Sequence, residues 1–211
     1  MKIEAAVQYA ELLATDGVTR GIIGPAETGR LWDRHLVNCA VVADLMPESG
    51  TLVDIGSGAG LPGVVLAMLC PGLEVVLLEP MLRRVVFLNE CVQSLELPNV
   101  QVLRGRAEDM SGNLQADVAT ARAVAPLDRL LSWSRGVLRP GGTLLAIKGS
   151  NAEAELADAK PVLRRLGARS AEVLRVGHDR VDPATTVVRV VTGTRRREEP
   201  LGARGSRPGM A

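Results

Sequence analysis

The chain has 211 residues, which is enough for one α/β domain with a small appendage and too short for two full domains. Apolar residues make up 46% of it and can bury a sizeable core, whereas aromatic residues make up only 2%, which nearly excludes a single-strand nucleic-acid binder that stacks bases on aromatic side chains. With 25 basic and 24 acidic residues, the overall charge gives no reason of its own to invoke nucleic acid.

The first residues predict helices and no targeting segment. Apolar residues recur at helical spacing over 3–15, and two glutamates stand where a signal peptide would be apolar. A second helix is predicted to begin at Pro25 or the next residue, because proline suits a first helical turn, and to end before Pro47. Residues 1–47 are therefore expected to form a small helical cap.

The middle of the chain alternates short apolar runs with amphipathic stretches. The runs predict strands at 51–55, 74–79, 100–104, 117–121 and 143–148. The stretches between and after them predict helices at 61–70, 81–96, 126–138 and 151–166. This alternation is typical of a parallel sheet with helices on both faces. Two late runs, 170–175 and 186–192, lack a helix between them and predict an antiparallel pair that closes a seven-stranded sheet, so the main domain spans 48–193.

The last residues carry a charge asymmetry. Residues 194–211 hold five arginines and two glutamates, a net charge of +3, which leaves 20 basic and 22 acidic residues, a net charge of −2, over 1–193. The segment has almost no apolar content and is predicted to be a disordered tail. It is either a solubilising end or a flexible basic arm for a phosphate backbone.

The most informative stretch is a glycine-rich turn after the first predicted strand, Leu52-Val-Asp-Ile-Gly-Ser-Gly-Ala-Gly-Leu-Pro-Gly63. Its glycines let the backbone turn sharply and let a ligand approach main-chain N–H groups. Gly58, Gly60 and Gly63 fit the G-x-G-x-x-G pattern of dinucleotide sites. Gly56, Gly58 and Gly60 instead fit the acid-x-G-x-G-x-G loop of S-adenosylmethionine (AdoMet) methyltransferases. The loop thus predicts a nucleoside-containing cofactor.

Acidic residues favour AdoMet over NAD(P). A carboxylate at Asp54 would repel a pyrophosphate but would favour the ammonium group of AdoMet. Glu79 ends the second strand, where a carboxylate accepts hydrogen bonds from ribose hydroxyls in either class of site. An NAD(P)-binding oxidoreductase remains the alternative, although Tyr9 is the only tyrosine and lies far from any lysine motif.

At this point the motifs resemble a known family. The stretches LVDIGSGAGLPGVVLA, LLEPMLRRVVFLNE, GRAEDM, VATARAVAPL and LLAIKG, with RLWDRHLVNC upstream, are similar to the bacterial 16S ribosomal RNA guanine-N7 methyltransferase family, also called glucose-inhibited division protein B. The similarity covers roughly residues 26–195. One departure is Asn38-Cys39, which stands where the family commonly has Asp-Ser.

The resemblance implies a Rossmann-like methyltransferase fold, AdoMet as methyl donor, and N7 of a guanine in the decoding-region loop of 16S rRNA as acceptor. By position it also implies site residues. Gly56 and Leu61 would lie in the AdoMet loop, and Ala107 with Glu108 would flank the adenine. Arg122, after the fourth strand, would reach the methionine end or the substrate pocket. Lys148, at the end of the fifth strand, would lie beside the same pocket.

The chemistry of guanine N7 agrees with these residues. N7 has an exposed lone pair, so its methylation requires no general base, and catalysis is mainly alignment. The fourth strand is followed by Ala-Arg-Ala-Val, not by an Asn-Pro-Pro-aromatic motif, and no Pro-Cys pair offers a thiolate. Arg122 or Lys148 could contact guanine O6 or a phosphate while N7 stays free. A methyltransferase with another acceptor remains open, since fold does not fix the acceptor.

Further expectations concern cofactors, partners and location. Three cysteines without a CxxC motif, beside only two histidines, predict no zinc site and no disulfide framework, and reduced thiols indicate the cytoplasm. The slightly acidic body favours the assembled small ribosomal subunit over naked RNA as the substrate, and the protein is expected to be a monomer without a membrane anchor. His35 is expected at a helix interface and Trp32 in the core.

Overall fold

The computed structural model describes residues 3–110 and 112–193. Its strands are β1 Gly50–Ile55, β2 Leu73–Glu79, β3 Val100–Arg104, β4 Ala116–Arg122, β5 Leu138–Lys148, β6 Ser170–Val176 and β7 Thr185–Val191. Its α-helices are α1 Ile3–Leu12, α2 Val37–Ala40, α3 Gly63–Leu69, α4 Leu82–Ser94, α5 Leu127–Val137, α6 Ala152–Asp158 and α7 Lys160–Leu166. The predicted basic tail, 194–211, lies outside the described residues.

All seven strands form one sheet in the order β3-β2-β1-β4-β5-β7-β6. The five strands from β3 to β5 are parallel, and β7 runs antiparallel to both β5 and β6. The predicted seven-stranded, mostly parallel sheet is confirmed. Because β1 and β4 are neighbours that continue into opposite halves of the sheet, a crevice opens beyond their carboxyl ends, where open α/β sheets bind ligands.

Two hydrophobic cores cover the two faces of the sheet. Alternate strand residues enter opposite cores, as Leu52 and Val53 do in β1. One core contains α1, the segment 25–45, α3 and α4, and the other contains α5, α6 and α7. The helices on both faces that the alternation predicted are therefore present, and the strands are buried on both sides, as parallel strands usually are.

The predicted second helix is wrong in detail. Residues 25–45 form 3₁₀ turns at Pro25–Arg30 and Val41–Leu45 and a π-helical turn at Leu31–Leu36, and only Val37–Ala40 is α-helical. The segment contains Gly29 and three valines, which are weak helix formers, so packing decides its path. Its apolar side chains pack in the same hydrophobic core as α3. The boundary at 47/48 between a helical cap and the main domain stays a prediction.

The single helix predicted at 151–166 is two helices. The helix is interrupted at Ala159, and Pro161 lies in the first turn of α7. Proline has no N–H to donate to the preceding turn, which ends α6 and suits the start of a new helix. In the part of the chain that the structure describes, no helix is long and apolar enough to cross a membrane, and no three His, Cys, Asp or Glu side chains cluster as metal ligands do.

Candidate active site

A cavity of about 620 Å³ opens at the carboxyl ends of β1, β2 and β4. The glycine-rich turn after β1 forms one wall, and Glu79, at the end of β2, forms another. Seven of the nine residues predicted to bind the cofactor line this cavity: Gly56, Gly58, Leu61, Glu79, Ala107, Glu108 and Arg122. The topology thus brings these sequence motifs to one place, and two of the predicted residues, Asp54 and Gly60, lie behind its wall.

The three alternating glycines differ in what surrounds them. All have positive φ: +68° at Gly56, +60° at Gly58 and +101° at Gly60. A Cβ at Gly56 would lie 2.9 Å from Cγ1 of Val124 in the loop after β4. A Cβ at Gly60 would lie 2.6 Å from Val64 Cγ2, inside the core. A Cβ at Gly58 would meet no heavy atom closer than 3.8 Å, so its surroundings are open.

Asp54 supports the loop from below, which corrects the prediction that it faces the cofactor. Its side chain is fully buried. Oδ2 accepts a hydrogen bond from the Gly63 backbone N–H at 3.1 Å, and Oδ1 accepts one from the Thr120 hydroxyl at 3.1 Å. Burial raises the pKa of Asp54 to about 6, although these hydrogen bonds favour the charged form. Asp54 therefore joins the glycine turn to β4.

The Asp54→Asn variant is expected to change the pH dependence of stability. The folded-state pKa lies above the ordinary value of 3.8, so ionisation of Asp54 disfavours the folded state and its cost grows as pH rises from about 4 to about 6. This cost is on the order of 3 kcal/mol. Asparagine can accept from Gly63 and donate to the Thr120 hydroxyl, so it keeps the contacts without the charge. Urea unfolding should show the variant gaining stability relative to wild type between pH 4 and pH 7, and parallel curves would contradict this assignment.

Glu79 is a buried carboxylate that organises the cavity wall. Oε2 accepts a hydrogen bond from the Gly58 backbone N–H at 2.9 Å, and Oε1 accepts one from the Met81 N–H at 2.9 Å. The guanidinium of Arg84 lies 3.7 Å from Oε2. Each carboxylate oxygen retains capacity for a further donor, such as a ribose hydroxyl. The predicted position of Glu79 at the cavity agrees with the structure, while its contact with a ribose stays a prediction.

Residues of the N-terminal segment contact the guanidinium of Arg122 and fix its position. Its Nη2 contacts Nδ1 of His35, and its Nη1 donates to the His35 carbonyl at 3.4 Å and approaches Cys39 Sγ at 3.3 Å. Because arginine only donates, Nδ1 of His35 must accept, so Nε2 carries the proton and donates to Glu27 Oε2 at 2.7 Å. Burial lowers the pKa of His35; its hydrogen bond with Glu27 raises it and the charge of Arg122 lowers it further. Glu27 and a neutral His35 thus orient Arg122.

A second cavity, of about 940 Å³, adjoins the first. Three consecutive residues at the end of β4, Arg122, Ala123 and Val124, line both cavities. Basic and amide side chains contribute to the second cavity, namely Arg34, Asn38, Lys148 and Arg175. Ala123 has a φ of +53°, which an alanine rarely adopts, so the chain turns sharply where the two cavities meet.

Lys148 lines the second cavity with a largely buried side chain. Its Nζ donates to the Ala125 carbonyl at 2.8 Å and to Glu155 Oε2 at 2.7 Å. The same Glu155 oxygen accepts the Leu127 backbone N–H at 3.0 Å. Two of the three ammonium N–H groups therefore fix the loop after β4, and one remains for a substrate. The predicted place of Lys148 beside the pocket agrees with the structure, and its catalytic role stays a prediction.

Several cavity residues were not predicted from the sequence. Ile23, Met81, Arg84, Arg106, Arg129 and Trp133 also line the first cavity. Ile23, Met81 and Arg106 lie in loops, Arg84 and Arg129 in the first turns of α4 and α5, and Trp133 in the middle of α5. No motif in the sequence marked these side chains as facing a cavity. Trp32, expected in the core, is 43% exposed and lines neither cavity. The expected burial of His35 among the N-terminal helical turns agrees with the structure.

Comparison with known proteins places this geometry in a family. The sequence model of the family described as "GidB: rRNA small subunit methyltransferase G" matches residues 2–181. The chain belongs to this family. A relative from Thermobifida fusca, named ribosomal RNA small subunit methyltransferase G, is 60% identical over 192 residues, which are 91% of this chain and 81% of the relative. A relative of the same name from Mycobacterium sp. is 48% identical over 213 residues, covering 100% of this chain and 92% of the relative.

Solved structures confirm the Rossmann-like methyltransferase fold. TYW2 of M. jannaschii, crystallised in complex with AdoMet, matches with a TM-score of 0.61 at 18% identity, over 79% of this chain and 78% of that chain. An AdoMet-dependent methyltransferase from Aquifex aeolicus matches with a TM-score of 0.57 at 20% identity, over 80% of this chain and 98% of that chain. The family model and the two relatives confirm the family that the sequence motifs resembled, and the oxidoreductase alternative is not supported.

Proposed function

We propose that this protein transfers a methyl group from AdoMet to N7 of a guanine in the decoding-region loop of 16S rRNA. One observation carries the proposal: the glycine-turn cavity and the basic second cavity meet at Arg122, Ala123 and Val124. A methyl donor in the first cavity and a nucleotide in the second would then face each other across this segment. AdoMet, when bound, supplies an electrophilic methyl group on a sulfonium sulfur.

The residues of the first cavity fit AdoMet. The Gly56 and Gly58 turn has no side chains, which allows close approach to its backbone. Glu79 offers carboxylate oxygens to a ribose diol, and Ala107 with Glu108 forms a wall of small and polar groups beside it. Within the described residues, the Nε of Arg84 is a buried donor at this wall without a hydrogen-bond partner. The cavity wall therefore offers hydrogen-bond donors and hydrogen-bond acceptors, and AdoMet, with its hydroxyls, ammonium and carboxylate, requires both.

The ionisable groups near the junction fit a reaction without proton transfer. The lone pair of N7 forms the new bond to carbon as the carbon–sulfur bond breaks, and no proton leaves the base. Carboxylates and imidazole near the junction are already engaged: Glu155 with Lys148, and His35 with Glu27 and Arg122. What the chain must supply is alignment, which can account for several orders of magnitude in rate.

Arg122 and Lys148 serve alignment in this proposal. Methylation at N7 gives the guanine ring a positive charge, which a guanidinium beside N7 would oppose. Arg122 is therefore assigned to the carboxylate of AdoMet, to guanine O6 or to a phosphate, and the free N–H of Lys148 to the same acceptors on the nucleotide side.

Substrate form, assembly state and location belong to the same proposal. The body of the chain over 1–193 has a net charge of −2, which disfavours tight binding to naked RNA and favours the assembled small subunit, where shape adds to recognition. We propose that the protein acts there as a cytoplasmic monomer, without a metal.

Labelled AdoMet tests the proposal. The protein is incubated with small ribosomal subunits from a strain that lacks the modification, and the label is followed into 16S rRNA and ribosomal proteins separately. The expected result is label in 16S rRNA alone, and subunits from the modified strain serve as the control that accepts none. Label in protein, or none in RNA, would refute the assignment of substrate.

A further inference from the structure

An arginine-rich cavity lies at the opposite edge of the sheet from the candidate active site. It has a volume of about 410 Å³ and is formed by the end of α5, the start of β5, the end of α7 and the residues after β7. Five exposed arginines surround it: Arg135, Arg139, Arg164, Arg165 and Arg169. Its floor is aliphatic and contains Leu131, Leu138, Leu144 and Leu163. We call this surface the arginine cavity.

The positive charge of the arginine cavity is only partly neutralised within the chain. No described Asp or Glu lines it. The Nε of Arg139 pairs with Asp117 Oδ1 at 2.5 Å, and the other four arginines make no ion pair to any residue of 3–110 or 112–193. The carboxyl ends of α5 and α7 each add about half a negative charge. About three positive charges remain on a body whose net charge is −2.

Helix stabilisation explains only part of this cluster. Arg135, Arg164 and Arg165 stand in the last turns of their helices, where a cation interacts favourably with the helix dipole. Arg139 and Arg169 lie in no helix. Two separate helices and two strand ends thus contribute arginines to one concave surface, and such a concentration of guanidinium groups matches phosphate oxygens.

The distance from the active site limits what the arginine cavity can bind. It lies at the amino ends of β4 and β5, whereas the methyl-transfer residues follow their carboxyl ends. Seven residues of β4 separate the two edges by about 20 Å. At about 3.4 Å per stacked nucleotide, this span corresponds to roughly six nucleotides. A group bound in the arginine cavity is therefore not the acceptor nucleotide.

We propose that the arginine cavity binds backbone phosphates of an rRNA segment remote from the methylated guanine. The inference rests on the proposed function for its ligand, since a large RNA substrate can reach both edges of the domain at once. The arginine cavity then contributes to affinity for the substrate and leaves the reaction itself unchanged.

The test compares two triple variants in the full chain. The first replaces three arginines of the cavity: Arg164→Gln, Arg165→Gln and Arg169→Gln. The control removes the same charge from arginines that line no cavity described above: Arg20→Gln, Arg83→Gln and Arg180→Gln. Binding to protein-free 16S rRNA is measured against KCl concentration, together with KM for small subunits, kcat and AdoMet affinity.

Loss of three phosphate contacts should lower the slope of log affinity against log salt by about two to three and weaken binding on the order of 10-fold to 100-fold. KM should rise, while kcat and AdoMet affinity stay at the wild-type values and the control variant behaves as wild type. The single Arg169→Gln variant should lower the slope by about one. Equal slopes for both triple variants would overturn the inference, and a raised KM with unchanged binding to protein-free RNA would assign the cavity to a ribosomal protein instead.

These readouts separate the inference from the proposed function. Salt-dependent binding to RNA is measured without methyl transfer, so it can support the arginine cavity even if the enzyme acts on another base. Conversely, the triple variant of the arginine cavity could methylate guanine N7 and bind RNA with wild-type affinity. That result would support the proposed function and refute phosphate binding by the arginine cavity.

Discussion

Replacement of Gly60 by alanine is expected to destabilise the protein by about 3 to 5 kcal/mol. A Cβ there would lie 2.6 Å from Val64 Cγ2 and 2.7 Å from the Tyr9 hydroxyl, and the φ of +101° is strained for any other residue. The Tyr9 hydroxyl also donates to the Ala59 carbonyl at 2.8 Å, so the clash would separate α1 from the loop. Because domains are stable by only about 5 to 15 kcal/mol, much of the variant should unfold at growth temperature.

Gly58 provides the matched control. Alanine at a φ of +60° costs about 1 to 2 kcal/mol, and no atom obstructs the methyl group. Gly58→Ala should therefore fold, yet lose AdoMet affinity on the order of 10-fold, because the methyl group lies at the wall of the cofactor cavity. Thermal unfolding and calorimetric titration with AdoMet measure the two effects. Equal stability of the two variants would show that the glycines are interchangeable, contrary to this structure.

Arg122→Lys is expected to lower kcat/KM by about 100-fold while the protein stays folded. Lysine keeps the charge but cannot contact the carbonyl and Nδ1 of His35 with two nitrogens, as the guanidinium does. In a reaction that depends on alignment, displacement of a positioning group by about 1 Å lowers the rate about 100-fold. Steady-state kinetics with small subunits measures the effect, and wild-type kcat/KM in the variant would remove Arg122 from the site.

His35 variants test how Arg122 is held. Asn at position 35 can still present an oxygen acceptor to Arg122, whereas His35→Ala cannot, so the alanine variant should lose more activity. Burial lowers the pKa of His35 below its ordinary 6.5, so the neutral ring that accepts from Arg122 persists at neutral pH. Wild-type kcat/KM should decline only at pH values below this lowered pKa, where His35 takes up a proton at Nδ1. His35→Asn should lack this decline.

The sequence predicted the sheet and the cofactor wall because both leave local signals. Buried parallel strands are continuous apolar runs, and the residues after them meet at one edge, which is why Glu79 and Arg122 could be assigned to one site. The glycine pattern located the turn but could not distinguish its members. Gly58 faces the open cavity and Gly60 faces the core, a difference set by Tyr9 and Val64, which come from two separate helices.

Long-range contacts account for what the sequence did not show. Asp54 was expected to face the cofactor, but it lies beneath the turn because Gly63 and Thr120 offer donors on the inner side. The pairing of Arg122 with His35 spans 87 residues and joins two elements whose packing no periodicity describes. The arginine cavity likewise collects residues from α5, β5 and α7, each of which alone reads as an ordinary polar surface.

The identity of the methylated nucleoside distinguishes guanine N7 from every other acceptor in the small subunit. After incubation of the protein with labelled AdoMet and unmodified small subunits, 16S rRNA is digested to nucleosides, and these are separated and identified by mass spectrometry. We expect label in 7-methylguanosine, confined to an RNA fragment that contains the decoding-region loop. Label in a guanosine methylated at an exocyclic or ribose position, or in any other nucleoside, would contradict this assignment.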